Sequence, residues 1–546
     1  MRILALLFIL LLSPVTLAGT VAVAMPDRYA AAAAQSVLAR GGNAVDAAIT
    51  ATFVLAVTYP EAGNIGGGGF MLSYVDGAPA FLDFREHAPQ AAHRDMFLDE
   101  EGNFVQRDAL VGGRASGVPG TVRGMQKAHE RYGSLPWVQL LKPAIKLARE
   151  GFVVSADQEE MAIEKVEEVD GDTNFARYFG TMRKGELMRQ PELATTLERI
   201  ASDPRDFYLG TTARQIVAQM TRSQGLITLK DLAAYEAVWR APLQAPWRDM
   251  TVLAAPPPSS GGFALIQLLV MRDGAGKHFS GVGHNSPRYV HLLAEIEKRV
   301  FADRAVYLGD PDFVEVPMER LLDPQYLASR AREVNPAAIS PAAEVLPGLE
   351  SSDTIHFSVL DGQGNAVSLT YTLNWEFGSG VVVKGAGFLL NDQMDDFSAK
   401  VGVPNKFGVI GGARNAIEPG KRMLSSMSPT ILLRDDKPSL VIGTPGGSTI
   451  FTSVFQVILN LYDYGMPLQE AVDATRYHHQ LPAAYVLRHD QREIPAQTSS
   501  KLTAMGYTVE QNSWGDLGDI QAIMIDQGTV QAAADSRGRG EARLGY

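Results

Sequence analysis

Near its middle the chain changes texture, and that change limits every fold open to it. Residues 335–353 (NPAAISPAAEVLPGLESSD) carry three Pro, much Ala and no sustained hydrophobic period, so a linker is predicted there. Ahead of it, helical patterns dominate from about residue 119 to 335, broken by Pro256-Pro257-Pro258-Ser259-Ser260-Gly261-Gly262. Behind it, strand patterns lead: Thr354–Leu360, Ala366–Leu373 and Ser439–Gly443, with helices expected at Thr449–Tyr464 and Pro467–Tyr477. A helical front and a strand-led back make an α/β or α+β mixture, and 546 residues suffice for a large core. Nearer the start, Gly41-Gly42 end one helix, and Asn43 with Asp46 three residues on caps the next. Phe70–Tyr74 and Ala80–Phe84 flank Val75-Asp76-Gly77 and read as a hairpin.

Composition narrows the functions. The chain is 46% hydrophobic and 20% charged with a net charge of −12, which excludes a disordered chain and argues against nucleic acid as a partner. It has no Cys, which removes disulfides, thiolate metal sites and a cysteine nucleophile together. Residues 1–18 begin Met-Arg, run apolar from Ile3 to Leu12 and end with small residues at Thr16 and Ala18. This pattern is expected of a secretory signal cut after Ala18. Its apolar run is too short to span a bilayer, and no later stretch is long enough either. An exported, soluble product is expected.

The hairpin behind the linker offers a geometric clue. If Asp361-Gly362-Gln363-Gly364-Asn365 form its turn, pairing is symmetric about Gln363 and sets Thr354 opposite Thr372, close enough for a hydrogen bond. Threonine is also favoured in strands for packing alone, so this leaves catalysis and structure both open. Gly443-Thr444-Pro445-Gly446-Gly447-Ser448-Thr449 lies between a strand and a helix. Such a turn can aim backbone N–H groups at an anion, or it can be an ordinary tight turn. It matches neither a Walker loop nor a dinucleotide fingerprint, and HExxH, G-x-S-x-G and EF-hand patterns are missing. Taken singly, His478-His479 read as structural or solvated, Asp395-Asp396 as a solvated turn, and Arg85-Glu86 as a surface ion pair.

Together, however, the segments resemble the γ-glutamyltranspeptidase (glutathione hydrolase) family of N-terminal nucleophile hydrolases. The resemblance runs from Gly41-Gly42-Asn43-Ala44-Val45-Asp46 through Glu61–Phe70, Asp83-Phe84-Arg85-Glu86, Gly117-Val118-Pro119-Gly120 and Pro257-Pro258-Ser259-Ser260-Gly261-Gly262. It continues through Thr354–Val359, Tyr371-Thr372-Leu373-Asn374, Asn391–Phe397, Leu424–Thr430 and Pro445-Gly446-Gly447-Ser448. It implies an α+β fold, a four-layer αββα sandwich built jointly by two self-cleaved subunits. Cleavage between Asp353 and Thr354 would divide a large subunit, 19–353, from a small catalytic one, 354–546.

The roles implied by this resemblance are specific. Thr354 would be the nucleophile, with its freed α-amine, of ordinary pKa about 7.7–8.0, as general base. Thr372 would hold Thr354, and the N–H groups of Gly446 and Gly447 would form the oxyanion hole. Arg85, helped by Ser425 and Ser426, would grip the substrate's α-carboxylate. Asp396 would pair with its α-ammonium, with Asn374 and Gln393 adding hydrogen bonds. Substrates would be glutathione and related γ-glutamyl compounds, with amino acids or peptides as acceptors. No metal or organic cofactor is implied, and the expected compartment is the periplasm, or the medium if there is no outer membrane.

Three positions depart from the family's bacterial pattern: Ile355 after the nucleophile, Phe407 in the lid loop, and Trp375-Glu376 on the acceptor side. A glutaryl-cephalosporin acylase is the nearest rival reading; its substrate has no α-ammonium, so Asp396 would be idle. A poly-γ-glutamate hydrolase or transpeptidase would use similar chemistry. A periplasmic γ-glutamyl-peptide binder that never cleaves itself is the rival outside enzymes.

Overall fold

The computed structural model describes residues 19–341, 355–400, 403, 406, 412–481, 483–513 and 515–545. The expected signal segment, the linker beyond residue 341, Asp353, Thr354 and Phe407 lie outside the described residues.

Two large sheets organise the described residues. Their strands are Val21–Met25 (β1), Gly68–Val75 (β2), Ala78–Asp83 (β3), Val238–Arg240 (β4), Leu243–Trp247 (β5), Met250–Ala254 (β6) and Ile355–Leu360 (β7). Ala366–Thr372 (β8), Thr430–Arg434 (β9), Lys437–Gly443 (β10), Gln521–Asp526 (β11), Thr529–Ala534 (β12) and Glu541–Gly545 (β13) complete them. The first sheet runs β13-β1-β7-β8-β2-β3-β4 and the second β12-β11-β10-β9-β6-β5. The helices that matter here are Arg28–Ala39 (α1), Ala44–Thr58 (α2), Ala156–Val169 (α3), Gly261–Gly274 (α4), Pro287–Tyr307 (α5) and Ile450–Tyr462 (α6).

Strand periodicity explains the layering, because alternate residues point to opposite faces. Phe70 and Leu72 of β2 join Ile431, Val441 and Ile523 of the second sheet in a core between the sheets. Met71 and Val75 turn the other way, into a core shared with α1 and α2. In the second sheet Leu432, Leu440, Ile442 and Ala522 face a core shared with α4, α5 and α6. The result is the four-layer αββα sandwich that the resemblance implies.

Local signals hold in several places. Asn43 and Asp46 form a reciprocal capping box at the start of α2, whose 15 residues are all buried. Asp76 and Gly77 both take positive φ, 52° and 77°, the backbone that a two-residue hairpin turn requires. The pairing of β7 with β8 runs from Ile355↔Tyr371 to Leu360↔Ala366, the register symmetric about Gln363 that the turn predicts.

Three expectations are corrected. The front is not simply helical: β1–β6 all precede the linker, and both sheets mix strands from its two sides. Pro242 and Pro246 disguise β5, where proline is tolerated because β5 is an edge strand. The helix expected over Pro467–Tyr477 is confined to Leu468–Asp473, followed by a short strand at Tyr477–His478. Buried Arg476 donates from Nη1 to the Val472 carbonyl (2.8 Å) and from Nη2 to Asp535 (2.7 Å), capturing the helix end from a non-helical position. Finally, Arg85 and Glu86 form no surface pair, for both side chains are fully buried.

Candidate active site

The hairpin β7–β8 ends at Thr372, which pairs across the ladder with Gly68 of β2. A side chain at Gly67 would lie 2.1 Å from the Thr372 carbonyl oxygen, so glycine there is a condition of the close approach. Thr372 Oγ1 accepts a hydrogen bond from the Asn374 backbone N–H at 2.8 Å. Asn374 itself sits at φ 91°, a region non-glycine residues seldom occupy, and donates from Nδ2 to the Asp392 carbonyl (3.2 Å).

Beyond β3 the chain delivers Arg85 into the interior. Its guanidinium donates to the Asp396 carboxylate, to Met423 O (3.3 Å) and to Leu424 O (3.3 Å), and lies 3.5 Å from Glu86. Gln393 Nε2 donates to the same Asp396 oxygen at 2.6 Å. The expected carboxylate receptor and ammonium receptor are thus hydrogen-bonded to each other. Their side chains are 0% and 7% exposed. Burial pushes the Glu86 carboxyl up to about 7, although Arg85 opposes it. Burial likewise raises Asp392 to about 8 and, joined by the neighbouring Asp396 charge, holds Asp395 well above the usual carboxylate range.

Ser425 and Ser426 follow Leu424 directly, and both are almost completely buried. Ser425 forms a bridge with Ser259, and its carbonyl accepts from the Ser260 N–H at 2.6 Å. The Pro-Pro-Ser-Ser-Gly-Gly segment therefore braces the serine pair from the other side of the linker.

Between β10 and α6, Gly446 and Gly447 take φ 122° and 55°. At Gly446 an added Cβ would also sit 2.6 Å from Thr449 Oγ1. A strand-to-helix turn with two such residues suits backbone donors gathered at a helix start. Beside Gly446 opens a cleft of about 1200 Å³ lined by Tyr59, α3, Trp375, Glu376, Asp519 and Arg539. Lys406 lies 4.8 Å from the centre of the Trp375 ring.

Of the expected site residues, the structure brings Arg85, Gln393, Asp396, Ser425 and Ser426 into one neighbourhood and links Thr372 to Asn374. It also adds residues that sequence reasoning missed. Asn415 donates to the Asp396 carbonyl (2.7 Å) and accepts from the Leu424 N–H (3.0 Å), tying the two halves of the pocket together. The Tyr235 hydroxyl donates to Arg85 O at 2.9 Å. No motif flags either residue. His478 and His479 are structural: both are buried, and burial lowers each to about 3.

Known proteins resemble this chain along almost its whole length. The family model described as gamma-glutamyltranspeptidase matches residues 30–545. The glutathione hydrolase proenzyme of Pseudomonas aeruginosa is 58% identical over 521 residues, 95% of this chain and 93% of that one. A γ-glutamyltranspeptidase from Pseudomonas nitroreducens, solved in complex with L-DON, is 55% identical with a TM-score of 0.59, covering 59% of this chain and 97% of that one. A cephalosporin acylase from Bacillus halodurans shares 27% identity and a TM-score of 0.83 over 96% of each chain. With a family model matched almost end to end and a relative this similar over nearly its whole length, the chain belongs to the γ-glutamyltranspeptidase family.

Proposed function

We propose that the γ-glutamyl hydrolase and transferase activity of this chain runs through Thr354, freed by cleavage of the Asp353–Thr354 bond. In the self-cleavage the Thr354 hydroxyl attacks the Asp353 carbonyl, and the peptide becomes an ester as its C–N bond breaks and the Thr354 α-amine is freed. Water then releases the Asp353 carboxylate and restores the Thr354 hydroxyl. In turnover that amine takes the hydroxyl proton as Oγ attacks the substrate's γ-carbonyl. The N–H groups of Gly446 and Gly447 receive the developing oxyanion, and the proton passes to the leaving amine. Water, or the amine of an amino acid or peptide, then takes the glutamyl group from the ester and restores Thr354. Thr372 orients the nucleophile, and its hydroxyl also accepts a hydrogen bond from the Asn374 backbone N–H.

The observation that carries this reading is the buried Arg85–Asp396 pair with Gln393 on the same carboxylate. A cation and an anion in contact form a receptor for a zwitterion: the substrate's carboxylate is drawn to the Arg85 end, beside the Ser425 and Ser426 hydroxyls, and its ammonium to Asp396. We further propose that residues 1–18 direct export to the periplasm and are removed. No helix among the described residues is long and apolar enough to cross a membrane.

Initial rates of anilide release from γ-glutamyl and glutaryl anilides test the pocket directly. Much faster release from the γ-glutamyl compound is expected, because the glutaryl group leaves Asp396 unpaired by substrate. Equal or faster release from glutaryl would replace this reading with that of an acylase.

A further inference from the structure

Arg304 is the fourth-from-last residue of α5 and is 1% exposed. Its Nε–H donates to Ser260 Oγ at 2.7 Å, and that hydroxyl donates in turn to the Ser425 carbonyl at 2.7 Å. The same carbonyl takes the Ser260 backbone N–H, while the Ser425 N–H donates to Pro258 O at 2.9 Å. Ser259 Oγ reaches Met427 O at 2.6 Å. On the far side, a Cβ at Gly261 would lie 2.5 Å from Ser426 O, so the two backbones approach as closely as glycine permits. Residues 258–261 thus form a rigid bed for Ser425 and Ser426, and Arg304 is the charged group that fixes it.

A guanidinium this deeply buried is costly unless a charge answers it. Burial disfavours the Arg304 charge, and the field of Asp396, a carboxylate also held by Arg85, supports it. Arg304 acts on the acyl pocket through the hydrogen-bonded relay to Ser425. That relay bears on the end of the pocket that receives the substrate's carboxylate, and it does not touch the bond being broken.

We propose that Arg304 is a positioning residue that sets recognition of the donor's α-carboxylate, by holding the Ser425–Ser426 segment through Ser260. The proposal rests on the pocket reading given above, with Arg85 and the two serines as carboxylate receptor. It gives the Pro-Pro-Ser-Ser-Gly-Gly segment a role in the reaction, as the relay between a buried cation and the substrate site.

The test compares γ-glutamyl p-nitroanilide with 4-aminobutyryl p-nitroanilide, which keeps the ammonium and lacks the carboxylate, in processed wild type, Arg304→Met, Arg304→Lys and Ser260→Ala. Arg304→Met is expected to raise KM for the γ-glutamyl compound about tenfold, as loss of a hydrogen bond to a charged group does. Its kcat should stay within about threefold of wild type, and the preference for the carboxylate-bearing substrate should fall by the same factor as KM rises. Arg304→Lys, which keeps the charge without the directed Nε–H, should fall between. Ser260→Ala, with its small change in volume, should show the same pattern at lower amplitude, and it decides the matter if Arg304→Met yields no processed enzyme. Equal losses on both substrates would mean a merely structural role and overturn the proposal, as would an unchanged KM in Ser260→Ala. A wild type indifferent to the carboxylate would overturn the pocket reading and this proposal with it. A discriminating wild type whose preference survives in the variants overturns the proposal alone.

Discussion

The cluster around Arg85 and the cleft beside Gly446 differ in kind. In the cluster, charges are buried and spent on one another: Arg85 on Asp396, Gln393 on the same oxygen, Asn415 and Tyr235 on the backbone between. Desolvating ions is tolerated only where geometry is fixed and partners are provided, so this side is shaped for one head group before any substrate arrives. The cleft is the reverse, with a volume of about 1200 Å³, bounded by mixed charges and the Trp375 ring. On the function proposed above, the cluster would recognise the acyl group rigidly and the cleft would admit the acceptor permissively, which suits a constant donor group and a second substrate that is water or an amine.

Removing the proposed nucleophile should have the largest effect. Thr354→Ala is expected to abolish self-cleavage and lower turnover by on the order of 10⁴-fold or more; a denaturing gel should show one unprocessed chain, and a processed, active variant would end the assignment. Next comes Gly446→Ala, which forces a side chain onto φ 122° and against Thr449. Its kcat should fall roughly 10²-fold or more, as for loss of an oxyanion donor, with donor KM little changed in steady-state kinetics.

A paired measurement then sets the two regions directly against each other. Arg85→Ala strands a buried carboxylate and should cost about 3–5 kcal/mol of stability in denaturant unfolding, together with a steep rise in donor KM. Trp375→Ala, in the cleft, should leave donor KM alone and shift the ratio of transfer to hydrolysis by about threefold, the scale of a modest apolar contact. Equal effects on donor KM would erase the distinction.

The smallest effect is a pH dependence. Glu86 is protonated in the fold up to about pH 7, against an ordinary value of 4.5, because it is buried. As pH rises through 7 its new charge competes for Arg85, so donor KM should climb about threefold between roughly pH 6 and 8, and Glu86→Gln should flatten the rise. Because the folded value is the raised one, the stability linked to this proton is fully present below pH 4.5 and is lost as pH rises through about 7.

What could be read from the sequence was what local rules govern. The Asn43–Asp46 cap, the Asp76-Gly77 turn and the register about Gln363 each depend on a few neighbouring residues, and each stands. Motifs in family order supplied Arg85, Gln393 and Asp396, but not that Arg85 and Asp396 touch across 311 positions of chain. Asn415, Tyr235 and Arg304 went unseen because each acts through a backbone group or another side chain, contacts that leave no spacing pattern. Strand β5 was hidden for a different reason, since its edge position permits a proline that local propensity forbids.

The placement of β1 bears on how the mature enzyme persists. It lies between β13 and β7, bonded on one flank over Val21↔Gly545 to Met25↔Glu541 and on the other over Ala22↔Leu360 to Ala24↔Ser358. If the chain is cut before Thr354, one fragment is threaded through the hydrogen-bonded fabric of the other. The halves then share no surface that can part and rejoin, and release of either means tearing both sheets. Dilution should never separate them, and reassembly from isolated fragments should be as demanding as folding from the start. The severed bond is one the finished molecule no longer needs, and the weave outlasts the thread that guided it.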